Sequence, residues 1–137
     1  SALMKAFGEA GTGIFPAPTV TEQEVCALIR ASFERRGLEY PDGPIVGVDE
    51  HSSDPHYDPN STVSGAPNTP IAPGQWVLID LWARVPGDDN IFSDVTWTGF
   101  VGDGSKSRPT DRHMHVFSAV LAARDASLKR AQDGWAR

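Results

Sequence analysis

Cysteine is almost missing: Cys26 stands alone in 137 residues. No internal disulfide can form, and the chain fits a reducing compartment. Long apolar runs are missing as well, since none approaches the ~20 residues that span a bilayer. Ser1–Ala10 holds no apolar stretch of signal-peptide length, so no secretory address is read and a cytoplasmic location is expected. Basic charge is scarce too. Lys plus Arg number 12 against 18 Asp plus Glu, a net charge of -6. A nucleic-acid or anionic-membrane surface needs a basic excess. Neither partner is therefore expected, while a cation site is allowed. Repeats and low-complexity tracts do not occur. The remaining composition, 39% hydrophobic and 22% charged, excludes a disordered tail, a collagen-like fibre and a coiled coil. A chain of this length buries roughly two thirds of its unfolded surface, enough for a single domain over residues 1–137.

The best-signalled element is a helix over Thr21–Arg36. Thr21-Glu22-Gln23-Glu24 is a capping box, in which a Thr and a Glu three residues on each satisfy a free backbone N–H. Val25, Leu28, Ile29 and Phe33 recur at helical spacing as one apolar stripe, with Cys26 beside it as a small packed side chain. Gly37 follows as the cap at the far end. Upstream, Leu3–Glu9 reads as a helical turn or two ahead of the breakers Gly11 to Pro18. Pro44–Val48 is a short candidate strand, and 51–70 reads as a loop. Gln75–Arg84 and Ile91–Val101 read as two strands joined by a turn over Val85–Asn90, a β-hairpin. A long helix is expected over about Thr110–Asp133, with Met114, Phe117, Val120, Leu121 and Leu128 as its apolar face and Gly134 as its stop signal. The fold class is α+β: a strongly curved antiparallel sheet backed by two helices.

The chemical interest lies in the hairpin. Side chains alternate along a strand, so Leu78, Asp80 and Trp82 share one face, and so do Phe92, Asp94, Thr96 and Thr98. If the hairpin closes symmetrically around Gly87, Asp80 and Asp94 become direct cross-strand partners, with Cβ atoms about 4.5–5.5 Å apart. Asp is a poor strand former, and opposed carboxylates repel. A bound cation, a shared proton or Arg/Lys partners would offset that cost. A divalent cation takes carboxylate oxygens readily, and two carboxylates can hold two metals about 3.5–4 Å apart to activate water. The alternative is that one Asp faces solvent or pairs with Arg84. Among the histidines, His56 lies between Pro55 and Tyr57 in the loop, as a proton donor, a substrate contact, a metal ligand or none of these. His51 has no more in its favour. His113 and His115 sit two apart at a helix start and so point to different faces. Trp76, Trp82 and Trp97 are expected in the core or a pocket wall, and Trp135 at an interface.

Five segments occur together and in order: Thr-Glu-Gln-Glu-Val from Thr21, Pro-Ile-Val-Gly-Val from Pro44, Ser-Asp-Pro-His-Tyr from Ser53, Val-Leu-Ile-Asp-Leu-Trp-Ala-Arg from Val77, and Ser-Asp-Val-Thr-Trp-Thr-Gly-Phe-Val-Gly from Ser93. In these the chain resembles the pita-bread metallopeptidases: creatinase, prolidase, Xaa-Pro aminopeptidase and methionine aminopeptidase. The wording is nearest to the Xaa-Pro peptidase branch. The resemblance runs from about Phe7 to the last residue. It implies that Asp80 is the first metal-ligand Asp and Asp94 the second, bridging two metals. It implies that His56 is the loop His that contacts substrate and helps stabilise the tetrahedral intermediate. Thr96 is expected to support Asp94 from behind. The implied cofactor is a pair of divalent ions (manganese, cobalt, zinc or iron), and the implied substrate is a proline-containing peptide.

The same resemblance implies a His and two Glu ligands in a second half, and none of them matches a position here. The chain is therefore read as the first half of a pita-bread catalytic domain, inactive alone and binding metal weakly or not at all. A homodimer, or association with the C-terminal half, is the expected assembly. A different class of function also stands: a non-catalytic pita-bread-like module that binds peptides or a partner.

Overall fold

The computed structural model describes residues 20–60, 68–103 and 108–135. They fall in two units, 1–107 and 108–137. The expectation for Leu3–Glu9 lies outside the described residues. The first unit contains helix α1 (Glu22–Arg35), strand β1 (Ile45–Val48), a 3₁₀ turn (Asp49–Ser53), and strands β2 (Trp76–Ala83) and β3 (Ser93–Phe100). The second unit contains helix α2 (Asp111–Trp135). The strands form an antiparallel sheet of order β1-β2-β3. Two helices and an antiparallel sheet make the fold α+β, as expected.

Both ends of α1 follow from its sequence. Thr21 is the N-cap, and its hydroxyl accepts from the Glu24 N–H while the Glu24 carboxylate accepts from the Thr21 N–H at 2.9 Å. At the other end Gly37 adopts φ +64°. Its N–H reaches the Glu34 carbonyl and the Leu38 N–H reaches Phe33, both near 3 Å, which is the two-bond closure that a left-handed residue permits. The buried stripe is Glu22, Val25, Cys26, Ile29 and Phe33. Leu28 was assigned to that stripe and is instead 57% exposed. Cys26 takes its place, fully buried, with Sγ 3.2 Å from the Pro44 carbonyl. Burial pushes its thiol pKa up, which keeps it unreactive.

The sheet presents two different faces. Val46 and Val48 of β1 stand opposite Ile79 and Val77 of β2, and these pack with α1 in the core. The other face carries Ile45 opposite Asp80 and Gly47 opposite Leu78. Gly47 is required there by close approach: a Cβ would meet the His51 carbonyl carbon and oxygen at 2.9 Å. The 3₁₀ turn therefore folds back over the Asp80 face of β1. Asp49 opens it at φ +48°, with its carboxylate accepting from the Trp76 N–H at 2.8 Å and from Gln75 at 3.1 Å. That pair of bonds ties the turn to the start of β2.

The hairpin departs from its expected register. Asp80 stands opposite Thr96, and Asp94 stands opposite Trp82. Paired residues are thus symmetric about Asp88, one position past Gly87. The turn fixes this: Asn90 donates its backbone N–H to the Gly87 carbonyl and its side-chain amide to the Pro86 carbonyl. Moving the midpoint by one residue changes each partner by two, so every side chain keeps its face. Trp97, expected in the core or a pocket wall, is 72% exposed and lines an open pocket together with Val77, Ile79 and Phe100.

In the second unit, the hydroxyl of Thr110 accepts the His113 N–H at 3.2 Å, and Nδ1 of His113 accepts the Thr110 N–H at 3.3 Å. His113 thus serves as a capping residue of α2. Gly134 is the next-to-last residue of α2. None of the α2 residues is buried, and Trp135 is fully solvent-facing.

Candidate metal centre

Asp80 lies mid-strand on β2, half-buried, on the face turned away from α1. Its carboxylate accepts a hydrogen bond from the Thr96 hydroxyl, Oγ1 to Oδ1 2.6 Å. A Thr directly across the ladder orients the carboxylate and leaves its remaining lone pairs available. Asp94 belongs to the same face, diagonal to Asp80, and is exposed. Diagonal neighbours on a sheet are about 7–8 Å apart, within reach of side chains that converge on one ion. Their mutual repulsion is weaker than that of a directly opposed pair. Thr96 was expected to support Asp94, and it is Asp80 that it holds. Arg84 is not the partner of either Asp. It pairs with Glu39 at 2.8 Å, and its guanidinium covers the Phe92 ring at 4.9 Å.

His56 stands in the loop after the 3₁₀ turn. Its side chain is 92% exposed, with Nδ1 4.0 Å from Asp54, and its backbone N–H donates to the Asp54 carboxylate at 2.9 Å. No hydrogen bond or ion pair takes it to Asp80 or Asp94. The structure thus joins Asp80 to Thr96 and sets Asp94 on their face, and it leaves His56 on a separate segment.

A residue that sequence reasoning passed over is Glu22. It is fully buried. Its carboxylate accepts from the Val48 N–H at 2.7 Å, from Nδ1 of His51 at 3.0 Å and from the Tyr57 hydroxyl. His51 and Tyr57 stack, with centroids 4.0 Å apart and planes 17° from parallel. With the Glu22 carboxylate as the acceptor of all three bonds, the network places the His51 proton on Nδ1. Burial, then the hydrogen bond and charge of Glu22, push the Tyr57 phenol pKa well up, against a smaller opposing effect of Thr69. The available signal was periodicity: position 22 lies three and four residues before Val25 and Cys26, on the buried stripe.

The model of metallopeptidase family M24 matches residues 1–136. The chain belongs to this family. The α+β fold is consistent with the family's pita-bread architecture. No curated protein matches the chain. Peptidases of M24 are metal-dependent and act on peptides. The donors here suit that chemistry in part. Asp80 and Asp94 carry hard carboxylate oxygens on one face, and the Asp80 carboxylate is oriented by Thr96. Among the described residues, no group of three or more His, Cys, Asp or Glu is placed to hold a metal. None of the described helices is long and apolar enough to cross a membrane.

Proposed function

We propose that this chain supplies the two-aspartate part of a dinuclear metal-dependent peptidase that cleaves beside proline. The observation that carries the reading is the shared face of Asp80 and Asp94, with Thr96 bonded to Asp80, in a chain that belongs to M24. Asp80 and Asp94 would hold the divalent ions, which when bound would supply activation of water for attack on a peptide carbonyl at neutral pH. Thr96 keeps the Asp80 carboxylate aimed along one direction, which limits the reorganisation needed when charge develops. His56, exposed and free to meet a peptide, contacts the substrate and donates a hydrogen bond to the oxyanion of the tetrahedral intermediate. A substrate with proline after the scissile bond fits the Xaa-Pro-like wording around Asp80 and Asp94.

Two carboxylates are too few ligands for a tight dinuclear site. The remaining His and two Glu belong to a second half, reached by association with that half or, less completely, in a homodimer. Manganese is the first ion to test, with cobalt, zinc and iron after it. The isolated chain with added manganese should turn over Xaa-Pro dipeptides at background rate, and adding the second half should restore hydrolysis. Robust turnover by the isolated chain would overturn this reading. The absence of a three-ligand group among the described residues also favours a second reading, a peptide-binding module without catalysis. Peptide affinity unaffected by metal and by Asp80→Asn would select it.

A further inference from the structure

Glu22 is the one charged side chain among the described residues that is fully buried. Capping of α1 does not explain it, because Thr21 and Glu24 satisfy that helix end between them. Burying a carboxylate is costly unless several donors compensate, and charge-assisted bonds are the strong ones. All three donors to the Glu22 carboxylate, one backbone N–H and two side chains, come from one stretch of chain. Val48 ends β1, His51 lies in the 3₁₀ turn, and Tyr57 directly follows His56. The stacked His51 and Tyr57 rings close that stretch into a loop pinned at both ends. His56 is carried between the pins. Its own ring is exposed, and its nearest local support is Asp54. A side chain with so little support of its own takes its position from its backbone, and the backbone at 57 is fixed by the phenol on Glu22.

We infer that Glu22 is a positioning residue for His56, acting through Tyr57 and His51 to hold the 51–57 loop over one place beside the sheet. The inference rests on the reading of His56 as the group that meets the substrate, and it adds the element that sets where that group stands. Loss of the phenol should free the loop next to His56 and leave the Val48 tie intact. Replacing the Glu22 carboxylate by an amide should weaken the Tyr57 tie more than the Val48 tie, because the amide oxygen still accepts from the Val48 N–H but meets Tyr57 differently.

The test is amide hydrogen exchange and ring-proton NMR on the full chain, comparing Tyr57→Phe and Glu22→Gln with the parent. In Tyr57→Phe, exchange over residues 54–57 should quicken about tenfold or more, the size expected for one lost bond to a charged acceptor. The His56 ring resonances should move toward random-coil values, while the Val48 amide keeps its protection. Glu22→Gln covers the case in which Tyr57→Phe fails to fold, and should likewise quicken 54–57 more than Val48. Unchanged exchange at 54–57 and unchanged His56 signals in a folded Tyr57→Phe would overturn the inference. So would equal loosening of Val48 and His56 in both variants, which marks Glu22 as general fold cement. No turnover is needed for this readout. Failure of the peptidase reading would show in the hydrolysis assay, and failure of the positioning role would show here.

Discussion

Two parts of one sheet differ sharply. β1 and β2 pack Val46, Val48, Val77 and Ala83 against α1, and that core holds nearly all the buried apolar side chains. β3 buries none of its residues, yet it carries Asp94 and Thr96. Folding energy is concentrated on one side of the sheet, while the candidate chemistry sits on the other face and on the outer strand. β2 serves both: its odd residues enter the core, and Asp80 points the other way. Asp80 on β2 is thus held by a strand that folding already fixes, while Asp94 on β3 is tied in, among the described residues, through the ladder.

The largest expected effect comes from attacking the packed part. Ile29→Ala should cost about 2–5 kcal/mol, the usual range for a buried aliphatic truncated to Ala. Trp97→Ala on β3 should stay within about 0.5 kcal/mol despite removing a larger side chain. Urea unfolding of both measures the contrast. Equal losses would break the comparison and show that β3 is packed in solution.

Next comes the buried carboxylate. Glu22→Ala should cost about 3 kcal/mol, since it strands the Val48 N–H and frees His51 and Tyr57. Glu22→Gln should cost less than half as much. If Glu22→Ala unfolds no more easily than Trp97→Ala, the division between a packed and an open part is wrong at this point.

A smaller effect appears at alkaline pH. The folded Tyr57 pKa lies above its ordinary value of 10.0. The folded chain therefore keeps the Tyr57 proton where the unfolded chain has lost it. Its contribution is complete below about pH 10 and declines as pH rises beyond that. Tyr57→Phe should flatten this part of the alkaline decline, as read from thermal unfolding between pH 8 and 11.

The legible parts of the sequence were those governed by local rules. The α1 capping box, the Gly37 closure and the alternation along both hairpin strands each depend on residues a few positions apart. Register was not legible, because it depends on which turn residues take which backbone bonds. Asn90 binding back to Gly87 and Pro86 moved the hairpin midpoint to Asp88, so Asp80 met Thr96 instead of Asp94. The shared face survived, since a shift of two preserves the pleat. Leu28 was misassigned because helical spacing alone does not separate the centre of a stripe from its flank. Glu22 was passed over for the opposite reason: a charged residue in a first turn is usually exposed, and only its position on the buried stripe marked it. The Thr96 bond and the Glu22 network are tertiary facts, made by segments 16 to 35 residues apart.

The central claim is that Asp80 and Asp94 form one metal-binding face. Manganese is paramagnetic and broadens nearby amide signals even when it binds weakly. Titrated into the labelled chain, it should broaden residues 78–82 and 94–98 first. Asp80→Asn and Asp94→Asn should each abolish that pattern without unfolding the chain. Broadening centred instead on the acidic residues Asp49, Glu50 and Asp54, or unaltered by either substitution, would contradict the account.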